Sequence, residues 1–313
     1  MGGVSRRDSS YWIDPALLPA FAAAGTDAHR VYTGGDAWIE RFGADLLLSY
    51  KGPRARDAAL GELPAWARGA PLAYRRVFGK FIPVKNEERV APELIEGDAS
   101  LPPTTIVREN GMRFGIDFAA GYSAGLFIDQ RANRAFVRRA APKRLLNTFA
   151  YTCSFTVAAA LAGAATTSID LSKRSLDRGR ENLALNDVDA PPGTHRFYHD
   201  DVLDVLPRLA RRGETFDAIA LDPPTFSRGN KGRPWQVERD LGKLLVAALS
   251  VAAPGAKVLV STNCARLDRR GVESAARDAL DRAGRSAAFH QEPPLPDVPA
   301  GAAARTLWLL LKG

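Results

Sequence analysis

From residue 144 onward the chain alternates short strand-like runs with amphipathic stretches, and few folds accept that rhythm. RLLNTF (144–149), TTSID (166–170), HRFYHD (195–200), FDAIALD (216–222) and AKVLVSTN (256–263) are apolar, aromatic or β-branched over strand length. Between them SFTVAAALAGA, LSKRSLDRGRENLALN, DVLDVLPRLARRG, residues 235–253 and residues 268–283 carry helical spacing. Strands that alternate with helices require a parallel sheet covered on both faces. The last two runs, SAAFHQEPP and TLWLLLKG, have no helix between them. They predict an antiparallel hairpin at the sheet's edge. The fold class expected is α/β: a doubly wound, Rossmann-like sheet.

Residues 1–120 have a different texture. HRVY, DLLLSYK, LAYRRVF, TTIVREN and MRFGIDF read as short strands, and DPALLPAFAAAG as a helix entered through Asp14 and Pro15. This part predicts a small α+β domain, leaving 121–313 for the alternating sheet. At 313 residues the chain has room for both.

Composition narrows the partners. The charge is +8, which favours an anionic ligand, although Arg outnumbers Lys and Ala is abundant, so compositional drift accounts for part of the excess. No apolar run approaches the roughly 20 residues that span a bilayer, and the N-terminus lacks the apolar core of a secretory signal. The expectation is a cytoplasmic protein without a membrane partner. Cys153 and Cys264 are the only cysteines, and His29, His195, His199 and His290 are scattered, so no metal site is expected. Nothing in the sequence fixes an oligomeric state.

In an open α/β sheet, ligands bind beyond the carboxyl ends of the strands, at the point where strand order reverses. The residues there are Asn147 to Phe155 after the first strand, Asp170 after the second, Asp200 and Asp201 after the third, Asp222-Pro223-Pro224 after the fourth, and Asn263-Cys264 after the fifth. Acids at three successive strand ends suit a nucleoside, one taking both ribose hydroxyls and another an adenine amino group. Asp170, Ser172 and Asp201 would equally serve as helix N-caps. G-x-G-x-x-G and the phosphate-cradling P-loop are both missing, which argues against a nicotinamide cofactor.

The stretch DPPTFSRGNKGRPW (222–235) is the most unusual. Two prolines cannot donate ladder hydrogen bonds, so the strand must end there in a stiff corner with outward carbonyls. Asp222 and those carbonyls can accept from a base's amino groups, Pro223 and Pro224 wall a slot, and Phe226 offers a stacking face. Arg228, Lys231 and Arg233 would meet phosphates, or form a solvated basic loop.

The stretches NGMRFGIDF, GLFIDQRANR, LLNTFAYTCSFTVAAALAG, SIDLSKRSLDRGRENLALN, DDVLDVL, LDPPTFS and VLVSTN resemble those of class I S-adenosylmethionine-dependent methyltransferases. Within that class the chain is similar to bacterial 23S rRNA methyltransferases. The guanine-N7 enzyme that forms half of a bifunctional protein comes first, and the cytosine-C5 relatives next. The likeness covers residues 108 to 313 and is fainter before them; GLFIDQR and LDPPTFS are its specific parts. It implies a seven-stranded methyltransferase sheet in 121–313 with S-adenosylmethionine as cofactor, and a substrate-recognition role for 1–120.

By position, Phe127, Asp129, Gln130 and Arg131 would shape the mouth of the cofactor site. Asn147, Phe149, Tyr151 and Thr152 would lie under the methionine part. Asp170 with Ser172 would hold the ribose, Asp201 the adenine, and Asp222 would face the sulfonium and the target base. The partner implied is RNA, with a small-molecule acceptor or a non-catalytic RNA-binding role as alternatives.

Three departures stand out. Cys153 replaces a glycine of the first loop, where a Cβ would reshape the pocket. The chain starts too late for the RNA-binding module that many cytosine-C5 relatives carry. Where those relatives have a nucleophilic cysteine this chain has Asn263, with Cys264 one residue beyond. Carbon-5 of cytosine needs a thiolate added at carbon-6, whereas a ring nitrogen already has its lone pair. A ring-nitrogen acceptor is therefore expected, with Asn263 near the substrate.

Overall fold

The computed structural model describes residues 11–83, 88–227, 234–299 and 301–313. The chain divides into two compact units, Met1–Ile128 with Pro294–Gly301, and Asp129–Pro293 with Ala302–Gly313.

The first unit holds β1 (Tyr11–Trp12), α1 (Leu17–Ala23), β2 (Ala28–Thr33), β3 (Ala37–Phe42), β4 (Asp45–Tyr50), α2 (Pro53–Gly69), β5 (Arg76–Phe81), β6 (Glu93–Gly97), β7 (Thr104–Glu109) and β8 (Met112–Asp117). β1 to β6 form one sheet in chain order, and β7 and β8 form a separate hairpin. Only β4 and β5 run parallel, and α2 makes that crossover. The helix opens on Pro53, whose missing N–H is no loss in a first turn. Its Ala59 and Leu63 pack on Ile39, Leu46, Leu48 and Val77 of the sheet. On β4 and β5, Asp45 and Arg76 form a fully buried two-bond ion pair, with distances of 3.0 and 2.8 Å. Such a pair adds little net stability but is costly to break from one side.

The second unit begins with α3 (Arg131–Ala140), β9 (Arg144–Thr148), α4 (Ser154–Ala160), β10 (Ala165–Asp170), α5 (Lys173–Leu185), β11 (His195–His199), α6 (Val202–Arg211) and β12 (Phe216–Leu221). It continues with β13 (Phe226–Ser227), β14 (Trp235–Gln236), α7 (Val237–Leu249), β15 (Ala252–Thr262), α8 (Arg269–Arg282), β16 (Ala287–His290) and β17 (Arg305–Leu311). Seven strands pair in the order β11-β10-β9-β12-β15-β17-β16. The strands from β11 to β15 are parallel, and β17 is antiparallel to both neighbours. The chain leaves β9 in one direction and returns through β12 on its other side. The switch point is therefore between those two strands.

One expectation is met and another needs correction. β16 and β17 form the antiparallel hairpin expected at the sheet's end, with β16 at the edge and β17 one place in. β17 is apolar almost throughout, with Leu307, Trp308 and Leu309 buried, so it needs cover on both faces. The helix expected from Trp235 starts at Val237, because Trp235 and Gln236 pair with Ser227 and Phe226 as a short hairpin.

Candidate functional site

At the end of β9 the backbone takes an unusual path. Phe149, Tyr151 and Cys153 have φ values of 52°, 48° and 61°, the left-handed region that side chains disfavour by about 1–2 kcal/mol each. The loop is held by its hydrogen bonds. Ala150 N donates to Ile169 O (3.0 Å), Cys153 N to Ala150 O (2.7 Å), and Asn182 Nδ2 of α5 to Thr152 O (2.9 Å). Tyr151 N donates to Asp170 Oδ2 (2.8 Å), while Ser172 N donates to Oδ1 (2.7 Å).

Asp170 is thus the clasp between the loop and the second strand. Burial pushes its pKa up, and the two backbone donors and His199 pull against that. Oδ2 accepts once from the loop and Oδ1 once from the backbone after β10, leaving lone pairs for a ligand's hydroxyls.

Cys153 is fully buried, and burial pushes its thiol up to about 12, which makes it inert as a nucleophile. Its side chain occupies a hollow in α5. A Cβ built on Gly179 would lie 2.4 Å from Cys153 Sγ. The side chain gained in the loop is matched by one missing from the helix. A glycine in mid-helix, costing about 1 kcal/mol, was the available sign of this close approach.

A cavity of about 530 Å3 opens beyond these strands. Among the described residues, Phe149, Asp170, Leu171, Asp201, Leu203 and Trp235 contribute to its walls, with Arg239 and Lys243 of α7 on its border. The Phe149 and Trp235 rings stand 5.6 Å apart at 44°. Asp201 caps α6 through Leu203 N (2.9 Å), and Ser172 caps α5 through Ser175 N (3.1 Å). Asp200, by contrast, is engaged by Arg208. Asp170 and Asp201, at strand ends on an aromatic-walled space that Asp204 and Asp240 also line, match a flat ring carrying hydroxyls.

The corner after β12 differs from its expectation in one respect. Its carbonyls are partly used: Pro224 O accepts from Trp235 Nε1 (2.7 Å) and Thr225 O from Val237 N (3.1 Å). Pro223 is buried and Phe226 is 55% exposed, a free aromatic face. Asp222 is raised to about 6, chiefly by burial. A hydrogen bond from Ser261 and the charge of Arg134 lower it, whereas Asp129 raises it. Arg228, Lys231 and Arg233 lie outside the described residues.

The remaining residues divide by environment. Asn263 is exposed, while Cys264 is buried with Sγ 3.3 Å from Glu238 Oε1. Phe127 is 47% exposed and belongs to the first unit. Asn147 is buried and donates to Thr156 Oγ1 (3.0 Å). Asp129 accepts from Ala304 N (3.0 Å), and Gln130 and Arg131 are buried. Sequence reasoning passed over Leu171, Trp235 and Ser261, which only the assembled strand ends bring into view. Among the described residues no cluster of His, Cys, Asp and Glu could hold a metal, and no helix is long and apolar enough to cross a membrane.

Comparison with known proteins agrees with this geometry. Ribosomal RNA large subunit methyltransferase I of Klebsiella pneumoniae is 34% identical over 281 residues, covering 86% of this chain and 68% of that protein. Ribosomal RNA large subunit methyltransferase K/L of Methylococcus capsulatus is 30% identical, covering 94% of this chain and 39% of that longer protein. The structure of SMU.776 complexed with SAH superposes with a TM-score of 0.81 at 25% identity, covering 95% of this chain and 78% of that one. Residues 58–310 match the family of S-adenosylmethionine-dependent methyltransferases. With that match over most of its length, and with Asp170 and Asp201 at two strand ends on an aromatic-walled cavity, the chain belongs to the S-adenosylmethionine-dependent methyltransferases.

Proposed function

We propose that this chain methylates a base in ribosomal RNA, at a ring nitrogen. The names of the relatives favour ribosomal RNA, and the observation that carries the choice of atom is the end of β15. The exposed side chain there is Asn263, and the neighbouring thiol of Cys264 is buried against Glu238. Carbon-5 chemistry would need a thiolate within reach of the base.

The bound cofactor supplies an electrophilic methyl group on a sulfonium. Asp170 takes the ribose hydroxyls and Asp201 the adenine amino group, with Phe149, Leu171 and Trp235 enclosing the ring. Phe127, Asp129, Gln130, Arg131, Asn147, Tyr151, Thr152 and Ser172 shape or brace that side. Asp222 accepts from the acceptor base, Pro223 and Pro224 wall its slot, and Phe226 stacks on it. This aligns the lone pair of the ring nitrogen for in-line transfer and requires no covalent bond between the enzyme and the base. Arg228, Lys231 and Arg233, and the first unit, bind RNA backbone. Cys153 gives no ground for a different acceptor, because its bulk is taken up at Gly179.

The test is incubation with radiolabelled S-adenosylmethionine and either undermodified ribosomal RNA or a metabolite extract. Label in one RNA fragment as a nitrogen-methylated base is expected. Label confined to small molecules would refute the RNA reading, and 5-methylcytosine would refute the nitrogen.

A further inference from the structure

Behind Asp222 lies a run of buried polar side chains that neither wall the cavity nor cap a helix. Trp308 on β17 donates from Nε1 to Asn133 Oδ1 on α3 (2.9 Å). Asn133 Nδ2 donates to Gln130 Oε1 (2.8 Å), and Gln130 Nε2 to Ser261 Oγ on β15 (2.8 Å). β12 and β15 pair in parallel up to Leu221 and Val260, so the residues that follow, Asp222 and Ser261, stand side by side. The Ser261 hydroxyl acts on the Asp222 carboxyl as a donor that lowers its pKa. The four side chains are between 0% and 3% exposed, and all five residues belong to the second unit.

Chemistry fixes the direction of this run. An indole N–H can only donate, so Asn133 must turn its carbonyl to Trp308 and its amide nitrogen to Gln130. Gln130 must then present its oxygen to Asn133 and its nitrogen to Ser261. The serine oxygen is occupied as an acceptor, and its own hydrogen is left for Asp222. An ionised carboxylate can only accept. The run therefore starts at a group that cannot accept and ends at one that, when charged, cannot donate. Turning either amide would set donor against donor. Hydrogen bonds aligned head to tail also polarise one another, which strengthens the last donor. Two charges also act on Asp222: the Asp129 carboxylate disfavours its charge and the Arg134 guanidinium favours it.

We propose that Ser261, Gln130, Asn133 and Trp308 form a one-way relay that aims a hydroxyl hydrogen at the Asp222 carboxylate and fixes its orientation for the acceptor base. Ser261 acts on Asp222 directly. The other three are positioning residues that act through Ser261. The inference rests on the reading of Asp222 as base-facing, and a substrate-free readout separates the two.

That readout is the titration of Asp222 in the full chain, followed by carbon-13 NMR of its carboxyl group, with Asp222→Asn identifying the signal. Ser261→Ala should move the midpoint upward by about one unit, the scale of a hydrogen bond to a charge. Ser261→Thr, which keeps the hydroxyl, should restore it. Trp308→Phe keeps the packing but removes the donor that fixes the direction, and should give a smaller upward shift. The acid limb of the pH profile of kcat/KM for RNA methylation should follow in each case. A Ser261→Ala midpoint equal to the parent's overturns the proposal. A shift in Ser261→Ala with none in Trp308→Phe overturns the relay beyond Ser261. If Ser261→Ala does not fold, Trp308→Phe with an unmoved midpoint is enough to reject it. Moved midpoints with an unmoved kinetic limb leave the relay standing and sink the base-facing role of Asp222.

Discussion

Asp170 at the end of β10 and Asp222 just beyond β12 are both pushed toward protonation by burial, yet the protein restrains them by different means. Asp170 is held by backbone, through the N–H groups of Tyr151 and Ser172. Asp222 is held by side chain, through Ser261 and the residues behind it. A backbone-held acid is insensitive to which side chains its donors carry, but it depends on the loop keeping its path. A side-chain-held acid tolerates small backbone movement and fails by single substitution. Each region also contains a buried cysteine, and the two are seated differently. Cys153 is locked in a left-handed cap position facing Gly179, whereas Cys264 is an ordinary small core residue.

The largest effect is expected at the backbone-held acid. Asp170→Ala removes the proposed ribose acceptor and leaves two backbone N–H groups without their partner. Affinity for S-adenosylhomocysteine should fall about 100-fold or more, near 3 kcal/mol. Calorimetry decides it. Unchanged affinity would mean that Asp170 only braces the loop.

The side-chain-held acid should reveal itself through pH. Folded Asp222 titrates at about 6, above the ordinary carboxylate range. The folded chain therefore keeps a proton that the unfolded chain has already lost. Asp222 contributes stability that is complete below pH about 4 and is lost as pH rises through about 6. Asp222→Asn cannot titrate, so its stability should gain on the parent's by about 2–3 kcal/mol between pH 4 and 7. Urea unfolding across that range measures the gap. A gap that does not change with pH would contradict the burial assigned to this carboxylate.

The loop at Asp170 has a second point of failure in α5. Gly179→Ala would help an isolated helix by about 1 kcal/mol, yet here its Cβ meets Cys153 Sγ at 2.4 Å. Net destabilisation of about 1–2 kcal/mol is expected. Adding Cys153→Gly should more than reverse it, because glycine suits a φ of 61° and vacates the hollow. Urea midpoints of the two single variants and the double variant form the cycle. Additive effects would show that the two sites do not share that space.

These contrasts also mark what the sequence could and could not reveal. The parallel strands were legible because FDAIAL and AKVLVST must be apolar on both faces, a pattern that few other elements produce. The strand-end acids followed from topology. β3 and β6 were not legible: AWIERF and ELIEG are half-exposed antiparallel strands whose charges look like loop. The relay was illegible for a different reason. Gln130 and Ser261, or Asn133 and Trp308, are far apart in the chain, and no local pattern distinguishes a glutamine bonded through both its amide oxygen and its amide nitrogen. The Cys153–Gly179 pair left half a trace, a helix glycine without an evident purpose.

The smallest effect is expected at Cys264, and it sharpens the contrast between the two thiols. Its Sγ–H lies 3.3 Å from Glu238 Oε1, and the residue is 3% exposed, so it is a core side chain with one weak hydrogen bond. Cys264→Ala removes that bond and a small buried volume, a cost of about 1 kcal/mol in stability. Methylation should stay within about twofold of the parent, since a shift that small leaves the chain folded and a ring-nitrogen acceptor needs no thiolate. RNA containing 5-fluorocytosine should form no covalent adduct with the parent chain. Abolished activity in Cys264→Ala together with such an adduct would require Sγ to leave Glu238 and reach the base, and the acceptor would then be carbon-5.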